Sequence, residues 1–262
     1  MEMNEQKSEY ASNKLLFKII DEHIGYITLN QPAKRNAMTI EMWKGLGQIF
    51  DDYEQNDSIR VFIITGEGDK AFCSGADLSE PHNRENDHLI RQLREKMGKF
   101  PKPIIACIRG FCIGGGVALA MSSDLRIAAD DSQFSIPATN LGLPLNYDII
   151  ENLFKLIGAS HTKMLLYTSE RINASEAERI GLVNRVVPTD KLYENVLKLA
   201  KTLVKNAPLS IYAAKCAINQ LHSGSSNNEQ VLVAIEKCLN SEDYQEGRKA
   251  FIEKRSPNFQ GR

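Results

Sequence analysis

Two short glycine turns contain the residues best placed to do chemistry in this chain. Ser74-Gly75-Ala76-Asp77 and Gly114-Gly115-Gly116 each follow a run of residues that is typical of a buried strand. If the two strands are parallel neighbours, their ends meet and the turns lie together. Two backbone N–H groups aimed at one point stabilise a negatively charged oxygen. A pair of tight packing corners is the alternative, because glycine also lets backbones approach without any ligand.

The sequence lacks most other catalytic motifs. Residues 66–71 match the G-x-G-x-x-A pattern of dinucleotide-binding folds, but the residues that follow do not begin a helix, which a pyrophosphate would need. No glycine cluster is followed by Gly-Lys-Ser/Thr, and no G-x-S-x-G elbow is present. The five histidines have no ligand spacing, so no metal is expected. The five cysteines form no C-x-x-C pair, and reduced thiols are expected.

The elements that must position the two turns are predicted as strands alternating with helices. Strands are predicted at 15–20 and 24–29, joined as a hairpin, and at 60–65, 104–108, 125–128 and 133–136. One helix starts after Thr39 and another ends near Lys99, before two prolines. Residues 66–78 are predicted as a long turn and 79–88 as a mobile polar loop. This alternation predicts an α/β fold.

The last part of the chain is predicted to be mostly helical. From about Tyr147 only 171–172 and 182–187 resemble strands, and helices are predicted at 190–204, 209–221, 229–239 and 242–254. We therefore expect a flexible leader at residues 1–12, a core at 13–200 and a helical C-terminal region at 201–262.

Composition excludes several classes of partner. The chain has 262 residues, of which 42% are hydrophobic and 25% charged, and its formal net charge is -1. A near-neutral chain has no strong electrostatic attraction to nucleic acid or to an anionic membrane surface, so neither is an expected partner. No apolar stretch approaches the ~20 residues that span a bilayer, and the N-terminus lacks the apolar core of a secretion signal. A cytoplasmic location is expected.

Several motifs in consistent order carry a family resemblance. They are Phe72-Cys-Ser-Gly-Ala-Asp-Leu78, Pro101-Lys-Pro-Ile-Ile-Ala106, Gly114-Gly-Gly116, Ser123-Asp-Leu-Arg-Ile-Ala128, Gly181-Leu-Val-Asn184 and Phe251-Ile-Glu-Lys-Arg-Ser-Pro-Asn-Phe259. Over about residues 14–262 the chain resembles the enoyl-CoA hydratase/isomerase superfamily, also called the crotonase superfamily. The resemblance implies a spiral of ββα units with a helical C-terminal trimerisation region, assembled as a homotrimer or a dimer of trimers.

The same resemblance implies an acyl-CoA substrate and a set of site residues. No separate cofactor is expected, because coenzyme A enters as the thioester of the substrate. The amides of Ala76 and Gly115 would bind the thioester oxygen. The implied substrate-binding residues are Lys34, Arg35 and Ala37 at the CoA nucleotide, Asp77 and Leu78 beside the pantetheine, Phe251 and Lys254 closing over the CoA, and Gly114 and Tyr147.

The chain departs from the hydratase pattern at both acid/base positions. Hydratases of this superfamily carry two glutamates that hold and deprotonate water, and the matching positions here are Ala118 and Ala138. General acid–base catalysis contributes ~10²–10⁴-fold in rate, so hydration through that pair is not expected.

A second pattern points to the methylmalonyl-CoA decarboxylase branch. Residues 140–146, residues 241–247 and the chain ending resemble that branch most. The branch, however, has a histidine at the position of Ala76 and a tyrosine at the position of Leu145.

The polar residues left near the expected acyl end are Asn146, Tyr147, Asp148 and Glu151. Asp148 and Tyr147 are the two candidates for a replacement acid/base, with Asp148 ranked first, although an aspartate in the first turn of a helix is also favoured by the helix dipole alone. Three functions stay open: an enolate-forming lyase or isomerase, nominally an enoyl-CoA hydratase/isomerase, a decarboxylase, and a catalytically weak acyl-CoA-binding protein.

Overall fold

A computed structural model describes residues 7–80, 83–224 and 226–262 of the chain. In these ranges the strands are β1 (Lys7–Tyr10), β2 (Leu15–Ile20), β3 (Ile24–Leu29), β4 (Val61–Gly66), β5 (Ala71–Cys73), β6 (Ile104–Ile108), β7 (Phe111–Ile113), β8 (Leu125–Ala129), β9 (Gln133–Ser135), β10 (Ile172–Asn173) and β11 (Arg185–Val187). The helices are α1 (Ile40–Tyr53), α2 (Arg84–Lys99), α3 (Gly115–Met121), α4 (Tyr147–Thr168), α5 (Ala174–Arg179), α6 (Leu192–Lys205), α7 (Pro208–Ser223), α8 (Glu229–Leu239) and α9 (Glu242–Glu253). Short 3₁₀ helices lie at Pro32–Lys34, Thr139–Leu141 and Thr189–Lys191.

The larger sheet has seven strands in the order β1-β2-β3-β4-β6-β8-β11. From β3 to β11 neighbouring strands are parallel, whereas β1, β2 and β3 pair antiparallel. All five residues of β6 are buried, as are the first four of β4. Apolar layers cover both faces of this parallel region, which explains why these strands have continuous apolar sequences rather than alternating ones.

A second sheet has four strands in the order β10-β9-β7-β5. After β4, β6 and β8 of the large sheet, the chain forms β5, β7 and β9 of this second sheet. The chain passes from β4 to β5 and α2, then from β6 to β7 and α3, then from β8 to β9 and α4. This repeated order is the predicted spiral of ββα units, and the predicted fold class is confirmed.

The apolar core lies on both faces of the large sheet. On one face α1 buries Met42, Leu46 and Phe50 against strand residues such as Phe62. On the other face α6 packs its apolar stripe, including Val196, against the sheet. Helix α1 begins as expected after Thr39, whose buried Oγ1 accepts a hydrogen bond from the Met42 N–H at 3.2 Å. This cap satisfies one of the free N–H groups of the first turn.

The leader prediction is wrong for part of the N-terminus. Lys7–Tyr10 form β1, which pairs antiparallel with β2 in register from Lys7↔Lys18 to Tyr10↔Leu15. The sequence of β1 is polar because it is an edge strand, so hydropathy gives no signal there. The rest of the predicted leader, apart from Ala11 and Ser12, lies outside the described residues.

Two loop predictions also need correction. Residues 71–73 form β5 inside the predicted long turn. The sequence did not predict this strand because three residues are too few to show the period of two that identifies a strand. Helix α2 begins at Arg84, inside the predicted mobile loop, where the Asn83 side chain accepts a hydrogen bond from the Asn86 N–H at 2.9 Å. Residues 81 and 82 of that loop lie outside the described residues.

The C-terminal part is helical as predicted. Helix α7 packs on α8, α8 contacts α9, and α4 is interrupted at Gly158, which has a φ of 75°. Arg60 ties the end of the chain to the core, because its guanidinium donates to the carbonyl oxygens of Val204 and Phe259 at 3.0 and 2.6 Å. Within the described ranges, none of these helices combines the length and apolar character that crossing a membrane requires.

Candidate functional site

The two glycine turns lie against each other. The strands that lead directly into the turns are β5 and β7 of the second sheet, not the predicted strands at 60–65 and 104–108, and they are parallel neighbours with Cys73 opposite Cys112. A Cβ atom at position 115 would lie 3.3 Å from the Ala76 amide nitrogen, and one at position 75 would lie 3.6 Å from the Gly115 nitrogen. The tertiary structure therefore brings the two predicted amides close together.

Hydrogen bonds fix the first turn without using its central amide. The Met38 N–H donates to Gly75 O at 2.8 Å, and the Asp77 N–H donates to Met38 O at 2.9 Å. Gly75 has a φ of 112°, a region that favours glycine. In the part of the chain that the structure describes, the N–H groups of Ala76 and Gly115 have no protein acceptor. Both donors are thus available to a ligand.

The third glycine of the second turn has a packing role. A Cβ atom at Gly116 would lie 2.3 Å from the Cys73 carbonyl oxygen, so α3 can rest on β5 only if residue 116 lacks a side chain. The Cys73 thiol beside it is fully buried, and burial raises its pKa to about 12. A neutral thiol of this kind is not an activated nucleophile.

The predicted CoA loop is bonded to the first turn. The Ser74 N–H donates to Arg35 O at 3.0 Å, and the Ser74 hydroxyl donates to Lys34 O at 3.1 Å. Beneath the loop, the fully buried Asn36 side chain donates to Glu67 O and Ala71 O and accepts from the Gln31 N–H. Sequence reasoning missed Asn36, since a polar loop residue carries no signal of burial.

Lys34 and Asp77 form an ion pair across the loop and the turn. The Lys34 Nζ lies 2.6 Å from Asp77 Oδ2, and the Asp77 side chain is only 8% exposed. The ammonium group, followed by hydrogen bonds from Ser79, lowers the pKa of Asp77 to about 2. Asp77 is therefore ionised at neutral pH, and its charge is matched by that of Lys34.

The other predicted substrate-binding residues near the turns differ in exposure. Ala37 is buried, and its carbonyl accepts a hydrogen bond from the Gln31 side chain. Leu78 is 76% exposed beside Asp77. Gly114 has a φ of 54° and donates its N–H to Ser135 O at 2.8 Å. Arg35 lies over the ring of Phe111, with 5.4 Å between the guanidinium carbon and the ring centroid.

The four polar residues expected near the acyl end, which include the two acid/base candidates, line one cavity of about 260 Å³. Its lining residues are Asp87, His88, Arg91, Asn146, Tyr147, Asp148 and Glu151. Asp148 is not free there, because its Oδ2 lies 2.5 Å from Nη2 of Arg94 on α2. Both side chains are largely buried, at 22% and 10% exposure. Arg94 was not predicted, because no local pattern links α2 with the start of α4.

Alanine occupies both positions where the resemblance places hydratase glutamates. Ala118 is buried on α3, and Ala138 is buried just before a 3₁₀ helix. The segment before Ala138 lies near the second turn, since a Cβ atom at Gly114 would contact Pro137 at 4.0 Å. Neither position carries a carboxylate.

Phe251 and Lys254 lie at the end of α9, which contacts α8. Phe251 is 85% exposed, and Lys254 is exposed as well. A role for these two residues over a bound CoA stays a prediction. Among the described residues, no group of three or more His, Cys, Asp or Glu side chains could hold a metal ion.

Known proteins are similar to this chain in sequence and in fold. The family model for enoyl-CoA hydratase/isomerase matches residues 20–262. A short-chain-enoyl-CoA hydratase of Clostridium acetobutylicum is 33% identical over 243 residues, covering 88% of this chain and 92% of the relative. A methylmalonyl-CoA decarboxylase of Escherichia coli is 34% identical over 247 residues, covering 91% and 95%. The crystal structure of an enoyl-CoA hydratase from Bacillus anthracis superimposes with a TM-score of 0.88 at 34% identity, covering 95% of this chain and 100% of that one.

Proposed function

The chain belongs to the enoyl-CoA hydratase/isomerase family, and on that premise we propose that it stabilises the enolate of an acyl-CoA thioester between the amides of Ala76 and Gly115. The observation that carries this proposal is the close approach of the two turns, in which the N–H groups of Ala76 and Gly115 have no acceptor among the described residues. Negative charge on the thioester oxygen is greatest when the enolate forms. Fixed donors therefore lower the energy of the transition state more than that of the bound substrate.

The reaction in this proposal is a lyase or isomerase step on an acyl-CoA, nominally of the enoyl-CoA hydratase/isomerase type. The nucleotide end of the substrate lies at the loop of Lys34, Arg35 and Ala37, and the pantetheine passes Asp77 and Leu78. Gly114 and Tyr147 are the other proposed substrate-binding residues. Asp148 is the proposed acid/base: its Oδ2 accepts a hydrogen bond from Arg94, and its Oδ1 would exchange the proton.

Decarboxylation of a 2-carboxyacyl-CoA is the second candidate, and the two buried alanines favour it. In that reaction the bond from C2 to the carboxylate breaks, CO₂ leaves, and the electron pair moves onto the thioester oxygen as an enolate. A donor then protonates C2. No base is needed to form the enolate, so alanine at positions 118 and 138 removes no group that this reaction requires. Apolar surroundings also destabilise the substrate's carboxylate, which favours its loss as CO₂. One relative is named a methylmalonyl-CoA decarboxylase.

Turnover assays with crotonyl-CoA, a 3-enoyl-CoA and methylmalonyl-CoA test these reactions, together with calorimetry of a CoA ester. Turnover of one substrate assigns the reaction. Binding without turnover of any of the three counts against those activities and favours a catalytically weak acyl-CoA-binding protein. Absence of both binding and turnover overturns the proposal. A crystal complex with an acyl-CoA then identifies the side chain within ~3 Å of the reacting carbon's substituents.

The proposed assembly is a homotrimer or a dimer of trimers. Large apolar side chains are exposed on the C-terminal helices, namely Ile218, Leu221, Leu232, Val233, Leu239, Phe251 and Ile252. An apolar surface of this extent is typical of a protein–protein interface. In such an assembly, Phe251 and Lys254 would close over a bound CoA.

A further inference from the structure

Two guanidinium groups share the ring of Phe111 at the start of β7. The guanidinium carbon of Arg35 lies 5.4 Å from the ring centroid, and that of Arg171, just before β10, lies 5.1 Å from it. Both distances are within the range of cation–π attraction. The ring thus holds two cationic side chains that come from segments far apart in the sequence.

Both arginines are exposed, and in the described ranges neither forms an ion pair or a hydrogen bond with a carboxylate. Their basic neighbours differ in this respect, because Lys34 pairs with Asp77 at 2.6 Å and Arg109 lies 3.6 Å from Asp131. Two positive charges at one ring without a counter-ion favour the binding of a ligand that carries more than one negative charge. A phosphate group suits this position, because its oxygens accept several N–H donors at once.

This cationic pair is connected to the proposed oxyanion site. Arg35 O accepts the Ser74 N–H in the first turn, and β7 leads from Phe111 directly into the second turn. Gly115 follows Phe111 by four residues, a path of about 13 Å at the rise of an extended strand. In an acyl-CoA the pantetheine arm separates the phosphates from the thioester. Phosphates are therefore expected away from the two amides, on the side of the CoA loop.

We propose that Arg171, together with Arg35 on the ring of Phe111, binds a phosphate of the nucleotide half of the acyl-CoA. This inference rests on the proposed function. Arg171 is not among the residues that the family resemblance assigns to CoA. The ring keeps the two guanidinium groups in place before the ligand arrives, which lowers the entropy cost of binding.

Calorimetry with coenzyme A, 3′-dephospho-coenzyme A and pantetheine tests the inference. We expect Arg171→Ala to weaken coenzyme A binding about tenfold, the effect of one charge-assisted hydrogen bond. Binding of pantetheine should be unchanged. If the effect disappears with 3′-dephospho-coenzyme A, the 3′-phosphate is the group bound, whereas an equal effect on both nucleotides assigns the diphosphate. Arg171→Lys, which keeps the charge, should restore part of the affinity.

Arg185→Ala is the matched control, because Arg185 is an exposed arginine at the start of β11, on the far edge of the large sheet. It should bind coenzyme A like the wild type, and circular dichroism should show all variants folded. Unchanged coenzyme A binding by a folded Arg171→Ala variant would overturn this inference and leave the proposed function standing. Equal weakening for pantetheine would also overturn it. A wild-type protein that binds no coenzyme A or CoA ester would overturn the proposed function as well.

Discussion

Gly115 is a residue whose missing side chain leaves room beside the Ala76 amide. A methyl group there would lie 3.3 Å from the Ala76 nitrogen. Because Gly115 is in the first turn of a helix without a positive φ, we expect Gly115→Ala to fold with a stability change below ~1 kcal/mol. Its kcat/KM should fall by ~10²–10³, the cost of losing one oxyanion donor. Steady-state kinetics and thermal unfolding check both parts.

Two other glycines provide controls for this prediction. Gly98→Ala on α2, with no atom within 4 Å of the new methyl group, should keep full activity. Gly116→Ala should lose folded protein, because its Cβ would lie 2.3 Å from Cys73 O. Wild-type activity in a folded Gly115→Ala variant would contradict the two-amide site.

The ion pair of Lys34 and Asp77 makes stability depend on pH in a defined window. The folded-state pKa of Asp77, about 2, is lower than its ordinary value of 3.8. The stabilisation is therefore complete above about pH 4 and is lost as the pH falls towards 2. We expect Lys34→Met to lower the free energy of unfolding near neutral pH, with the difference from wild type shrinking as the pH falls below about 4 and becoming small at pH 2.

Urea unfolding between pH 2 and pH 7 measures this window. Lys44→Met is the control, since Lys44 is an exposed lysine on α1 that forms no ion pair among the described residues. A difference between Lys34→Met and wild type that stays constant down to pH 2 would show that Asp77 is not the titrating group.

At the scale of elements, the contact of Arg94 with Asp148 joins α2 to the start of α4. Asp148→Asn leaves a largely buried guanidinium without its carboxylate, which should cost about 1–3 kcal/mol of stability. An Arg94→Met/Asp148→Asn double variant should recover much of that loss, because the unpaired charge is removed. If Asp148 is the acid/base, kcat should be ~10²–10⁴-fold lower than that of the wild type in both the single and the double variant.

The kinetic and stability data together separate two roles of Asp148. Recovery of activity in the double variant would mean that Asp148 only joins the helices. Glu151→Gln tests another carboxylate of the same cavity, paired with Lys155 at the surface, and should change little.

At the scale of the whole molecule, the exposed apolar side chains of α7, α8 and α9 predict self-association. Leu221 is 83% exposed in the single chain. Leu221→Glu would place a charge inside the proposed trimer interface, so we expect smaller particles by light scattering with unchanged helix content. Asn206→Glu, an exposed polar position after α6, should keep the wild-type mass. A monomeric wild-type protein would contradict the proposed assembly.

Long elements of this chain were predictable because their signals are local. The buried strands of the large sheet have continuous apolar runs, and α1 has an apolar stripe and a capping threonine. Strands β1, β5 and β7 were not predicted: β1 is a polar edge strand, and β5 and β7 have three residues each. Their conformation depends on neighbouring strands, which are distant in sequence.

Residue types and their order were enough to predict the class of fold, the family resemblance and the two glycine turns. The approach of the two turns, the contact of Asp148 with Arg94 and the ring shared by Arg35 and Arg171 became visible only in the folded chain. The reason is physical: each of these contacts joins segments separated by tens of residues. Distances of that kind are set by how the sheets and helices pack, and no local pattern encodes them.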